Sequence, residues 1–221
     1  MAIQTFTSLQ AAVAEWLARN GDPDLLSRFT DFVALHEERM YYGADPVPEL
    51  QMPGFPRLRI REMETVNASF TLDATVAQPT GFLELIEASL NSPLAPLDIV
   101  TEGVIESYRD QTLGGPRLIA VSGTNFRVKD DPGGTATATI RYFQKLATPA
   151  SGNDTNWIMS NAPSLYLNGC LLQAAIYIGD PDAAKLYGGL YTAAVGSLNR
   201  RRNAELAAAS NVRLRLRGRT P

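Results

Sequence analysis

The chain has almost none of the residues that most often carry chemistry. Its 221 residues include one histidine, His36, and one cysteine, Cys170. A single cysteine excludes any disulfide within the chain, so the fold must rest on its core, and a reducing interior is the natural compartment. The same scarcity leaves a zinc site short of its usual nitrogen and sulfur ligands. No stretch approaches the roughly 18 continuous apolar residues of a membrane span. The first ten residues, MAIQTFTSLQ, lack the basic region and apolar run of a secretory signal. A soluble protein made in a cytoplasm is expected, with no membrane partner, no metal ion and no cofactor. What is present is an ordinary globular composition, 45% hydrophobic and 19% charged, which argues against wholesale disorder.

Charge is unevenly spread. The last 22 residues hold seven arginines against the lone Glu205, a balance of +6, so the remainder of a chain of net charge -3 carries -9. An acidic body with a cationic tail suits a tail that docks on an acidic partner or a neighbouring copy.

Thr7-Ser8-Leu9-Gln10 has the form of a capping box, and Leu9, Val13, Trp16 and Leu17 fall on one helical face up to a stop at Asn20-Gly21. Asp22-Pro23 restarts a helix whose stripe is Leu25, Leu26, Phe29, Phe32, Val33 and Met40, with Glu37, Glu38 and Arg39 outside it. These residues predict an antiparallel helical hairpin over 7–42. Pro46, Pro48, Pro53 and Pro56 break regular structure, and the period then changes to two. Val66, Ala68, Phe70 and Leu72 predict a half-buried strand. Further strands are expected over Gly81–Ala88, Arg117–Val121, Asn125–Lys129 and Thr135–Leu146, with a short helix capped at Thr101 and a turn at Asp131-Pro132-Gly133-Gly134. Helix resumes near Pro163 and, after the stop and restart at Gly179-Asp180-Pro181, runs to about Ala208. Gly188, Gly189 and Gly196 each cost that helix about 1 kcal/mol relative to alanine, unless another backbone packs closely there. The fold class is therefore α+β. Residues 1–45 form a helical hairpin and 151–210 two further helices of one bundle-like body, 46–150 an antiparallel β insertion, and 211–221 an extended tail.

Candidate catalytic groups lack partners. His36 edges the stripe of its helix, with no serine or cysteine nearby in sequence, and reads as a boundary residue rather than a base. Cys170 lies among leucines and reads as a small hydrophobe. Glu37/Glu38, Glu62/Glu64, Glu84/Glu87 and Asp130/Asp131 read as solvated or interface pairs. Asp180-Pro181-Asp182 is explained by capping rather than by calcium. Gly114-Gly115 and Gly133-Gly134 lack the lysine and helix start of a phosphate loop. The sharpest local pattern is the tail, where Val212, Leu214 and Leu216 alternate with Arg213, Arg215 and Arg217, as in a strand added to another protein's sheet.

The order of parts, and residues 155–200 above all, resembles the head-to-tail adaptor proteins of tailed bacteriophages and related gene transfer agents. The resemblance rests on Asn156-Trp157, Pro163, Leu165-Tyr166-Leu167, Gly169, Leu171-Leu172, Ala174-Ala175, Asp180-Pro181-Asp182, Leu186-Tyr187, Tyr191 and Leu198-Asn199. It implies a structural protein of the virion, not an enzyme. It further implies a ring, usually a dodecamer, below the portal protein, which meets tail, stopper or nozzle proteins and lets double-stranded DNA pass without sequence-specific binding. On that reading the tail residues Val212, Arg213, Leu214, Arg215, Leu216, Arg217 and Arg219 dock on the portal. Tyr187, Gly189, Tyr191, Arg200, Arg201 and Arg202 pack one subunit on the next. The loop Asn91–Asp98 has no counterpart in the family pattern. A generic bacterial homo-oligomeric binding protein and, further off, a hydrolase using His36 remain as alternatives.

Overall fold

The computed structural model describes residues 3–46, 54–109, 111, 114–130, 136–151 and 154–209. The turn expected at 131–134 and the tail 211–221 lie outside the described residues. The chain forms two compact units: residues 1–61 with 147–221, and residues 62–146.

The first unit is helical. Helix α1 spans Phe6–Trp16, α2 Pro23–Ser27, α3 Phe29–Tyr42, α5 Trp157–Asn161, α6 Pro163–Ile178 and α7 Pro181–Ala209. The capping box forms two residues earlier than the sequence suggested. Thr5 is the N-cap, its hydroxyl accepting from Ser8 N–H, while Ser8 Oγ accepts from Thr5 N–H at 2.9 Å. Starting at Phe6 lets that ring meet Phe29 edge to face at 5.2 Å. Gln10, expected in the cap, instead donates to Leu26 C=O at 3.1 Å and ties α1 to α2. The restart at Asp22 is as expected: its carboxylate accepts from Leu25 and Asp24 N–H, which together with Arg19 holds the carboxyl below its ordinary range. The helix then breaks at Arg28, where Ser27 Oγ bonds back to Asp24 C=O at 2.8 Å. Rather than facing mainly each other, α1 and α3 both pack on α6, which also receives α5 and α7. This central position explains why α6 is buried almost throughout, from Leu165 to Ala175.

The second unit holds β1 Glu64–Leu72, β2 Thr75–Ala77, β3 Phe82–Asn91, β4 Leu94–Pro96, β5 Asp98–Val100, α4 Glu102–Ser107, β6 Leu118–Ser122, β7 Asn125–Val128 and β8 Ala136–Gln144. Two four-stranded sheets, ordered β1-β8-β3-β4 and β2-β7-β6-β5, share a core around Phe70, Leu72, Ile119, Phe126, Ile140 and Tyr142. Phe126 takes Phe70 and Phe82 edge to face at 5.7 and 5.1 Å. Three sequence expectations change here. A bulge between Asn67 and Phe70 breaks the alternation of β1, so Phe70 and Leu72 face the core while Val66 and Ala68 are exposed. The unit is not wholly antiparallel, because β5 and β6 pair in parallel through the crossover that contains α4. The unassigned stretch 91–98 turns out to be a hairpin, with Asn91 opposite Leu94, that continues through buried Leu97 into the second sheet.

Candidate functional site

The segment with the most distinctive sequence, 155–200, is built around one asparagine. Asn156 caps α5 by accepting from Met159 N–H at 3.0 Å. Its amide donates to Ala147 C=O at 2.9 Å and to Tyr166 Oη at 2.8 Å. Tyr166 Oη in turn donates to Glu37 Oε1 at 2.6 Å, and Thr148 Oγ1 donates to Glu37 Oε2 at 2.6 Å. Burial, with the Glu37 carboxylate second, pushes the Tyr166 phenol well above its ordinary range, so it stays a donor. Glu37 was expected on the solvated side of α3. It is buried instead, because it lies one turn from Val33 and from Tyr41 on the same stripe. Asn156→Ala removes the cap and strands three partners; a loss of about 2–3 kcal/mol in urea unfolding is expected.

His36 is likewise a core residue rather than a boundary one, 1% exposed. Its ring meets Tyr166 at 4.8 Å and Tyr191 at 5.4 Å, both edge to face. It lies so close to α6 that a methyl group on Gly169 would fall inside the imidazole, 2.6 Å from Cγ. Burial, then the Arg39 charge, lowers its pKa to about 3, so it is neutral near pH 7. Neither ring nitrogen has a hydrogen-bond partner among the described residues. Sealed from solvent, this imidazole is out of reach of a substrate. Cys170 is also fully buried, and burial pushes its thiol up, away from the nucleophilic thiolate. Among the described residues no three metal-ligating side chains come together.

The expected interface residues divide. Tyr191 is 1% exposed, enclosed by His36 and by Phe55 at 5.6 Å, and so belongs to the core of its own unit rather than to an outer face. Tyr187 is half-buried. Gly189 is exposed, with no described atom within 4 Å of where a Cβ would stand; the tight approaches in the helical unit include Gly169 against His36 and Gly43 against Phe55 C=O, whereas Gly188 makes only ordinary contact with Phe55. Arg200 and Arg201 are exposed and Arg202 half-buried. Arg201 pairs with Glu205 at 3.0 Å and lies 5.1 Å over the Trp157 ring, tying the far part of α7 to α5. Asn199 clamps the extended stretch at Arg59, accepting from Arg59 N–H at 2.9 Å and donating to Arg57 C=O at 2.8 Å. Sequence reasoning passed over Gly169, Glu37 and Gln173 as working positions. The first two stood in view, one as a glycine inside an apolar helix and the other at the period of its stripe.

What remains for partners is surface. Leu186 and Leu190 stand exposed one turn apart on α7, and Leu35, Ile176 and Tyr177 on α3 and α6. These residues define an α+β protein whose distinctive sequence builds packing and contact faces. The chain belongs to the SU10 adaptor protein family, whose model matches residues 4–215. That membership assigns it a structural role as a phage head–tail adaptor in the virion, in contact with other head and tail proteins. No curated protein matches the chain. No helix among the described residues is long and apolar enough to cross a membrane.

Proposed function

We propose that this adaptor assembles into a ring of identical copies beneath the portal, with residues 1–45 and 151–210 forming one helical body and 46–150 an insertion in its sequence. The observation that carries this reading is the outer side of α7. Leu186 is 59% and Leu190 44% exposed, and at Gly189 beside them no described atom lies within 4 Å of where a Cβ would stand. Two leucines left in water one turn apart are what a neighbouring copy covers. Tyr187, Gly189, Arg200, Arg201 and Arg202 belong to or flank that contact, and Tyr191 supports it from beneath.

Residues 211–221 dock on the portal, with Val212, Leu214 and Leu216 as the apolar row and Arg213, Arg215, Arg217 and Arg219 as the cationic one. The other face meets tail, stopper or nozzle proteins. Double-stranded DNA passes through a lumen kept acidic by the -9 body, since phosphate attraction would slow it. Sedimentation of the purified chain with the portal ring tests the reading: a discrete joint complex is expected, and deletion of 211–221 should abolish it. Undiminished binding by the shortened chain would refute the docking role of the tail.

A further inference from the structure

An apolar groove runs between α3 and α6 within the helical unit. Phe32, Leu35, Ile176 and Tyr177 line it, with Arg28 and Asp31 at one end, and it encloses about 330 Å³. Three of its apolar side chains are substantially exposed: Leu35 at 47%, Ile176 at 43% and Tyr177 at 53%. Gln173 also lines it. This side chain is 5% exposed, and its amide nitrogen finds no acceptor among the described residues. A buried amide donor without an acceptor is costly, so this wall is incomplete as it stands, and the exposed apolar side chains ask for an occupant that is apolar along its length.

The same chain offers such a shape elsewhere. On α7 the side turned away from α6 carries Asp182, Leu186 and Leu190, successive at intervals of four and all exposed, while Ala184, Gly188, Tyr191 and Val195 face inward. At 1.5 Å per residue this row spans about 12 Å, against about 10 Å from Arg28 to Leu35 along α3. Seating Asp182 at the Arg28 end puts Leu186 over Phe32 and Tyr177, and Leu190 over Leu35 and Ile176. The carboxylate then meets a guanidinium whose own ion pair, with Asp31 at 3.6 Å, is loose and exposed.

We infer that the α3–α6 groove of one copy receives the Asp182–Leu186–Leu190 row of α7 from the next. This rests on the assembly reading above and names its contact. The two surfaces are different patches of one chain, so the contact is heterologous: each copy keeps a free groove and a free row, and association continues until a ring closes.

Disulfide trapping tests it, in the full chain, with and without the portal ring. Leu35→Cys and Leu190→Cys replace exposed residues, and native Cys170 is buried and does not compete. Under mild oxidation the double variant should give a ladder of covalent dimers, trimers and higher species. The two single variants, mixed, should stop at dimers, and neither alone should cross-link. Leu186→Asp in the double variant should lower the yield at least about tenfold. Arg28→Glu should lower it, and Asp182→Arg added to Arg28→Glu should restore it. Absence of the ladder while rings still form would overturn this contact and leave the assembly reading standing. Cross-linking by Leu190→Cys alone would also overturn it, by showing a symmetric contact. Absence of any oligomer in either condition would remove both.

Discussion

Gly169→Ala will destabilise the protein by about 3 kcal/mol, although the same exchange inside a helix ordinarily stabilises. The added methyl has no room, because it would overlap the His36 imidazole, which Tyr166 and Tyr191 hold edge to face from two sides. A ring held in this way cannot retreat, so the strain must move α3 away from α6. Urea unfolding with a double-mutant cycle checks the cause. His36→Ala in the Gly169→Ala background should recover at least about 1 kcal/mol relative to the sum of the two single losses. Additive losses would mean that the overlap is relieved elsewhere. Gly189→Ala is the internal control: with no described atom within 4 Å of its Cβ position, it should stabilise the isolated chain by up to about 1 kcal/mol. If a neighbouring copy approaches closely there, the same substitution should weaken assembly while it strengthens the subunit.

Acid will weaken the fold through His36. In the native state the imidazole takes up a proton only near pH 3, because burial and the Arg39 charge oppose it, whereas in the unfolded chain it does so near 6.5. The unfolded state therefore binds more protons throughout that window. The contribution of neutral His36 is fully present above about pH 6.5 and falls as the pH drops towards 3. From about pH 7.5 to about 4.5 the loss is about 3 kcal/mol. Unfolding free energy measured across that range should fall more steeply in the native chain than in His36→Leu. Parallel curves for the two would show that the imidazole is reached by solvent or partnered. The groups that face it are Tyr166 on α6, Tyr191 on α7 and Arg39 on its own helix; both phenols are held protonated by burial.

Much of this arrangement was legible in the sequence, and the failures have definite causes. Helices α1, α3, α6 and α7 announced themselves through caps, the Asn20-Gly21 and Gly179 stops, and apolar period. Asp22-Pro23 and Asp180-Pro181 marked two restarts that the fold uses. The alternation of β1 misled because a bulge is one residue too many, and nothing in Asn67-Ala68-Ser69 distinguishes it from a regular strand. The parallel pairing of β5 with β6 was hidden because β5 is only three residues long. His36 and Glu37 were misplaced for a more instructive reason. Polarity suggests exposure, whereas α3 packs on a helix buried almost throughout, which has its own glycine notch at Gly169 and the Tyr166 hydroxyl to receive them. Tyr191, expected at the subunit contact from the family resemblance, is instead turned onto His36 and Phe55 inside its own unit. The exposed row beside it, Leu186 and Leu190, was in plain view but could not be told from core positions until the side of α7 facing α6 was known.

The helical unit is assembled from both ends of the chain, with the whole β unit lying between Arg61 and Ala147. During translation α1, α2 and α3 therefore leave the ribosome long before α6, the helix on which they pack. The β unit, contiguous in sequence, can complete its own core while the first helices wait with apolar faces uncovered. Those early helices are then natural clients for a chaperone. Docking of α6 must then bring together segments more than a hundred positions apart, the kind of long-range closure that slows folding.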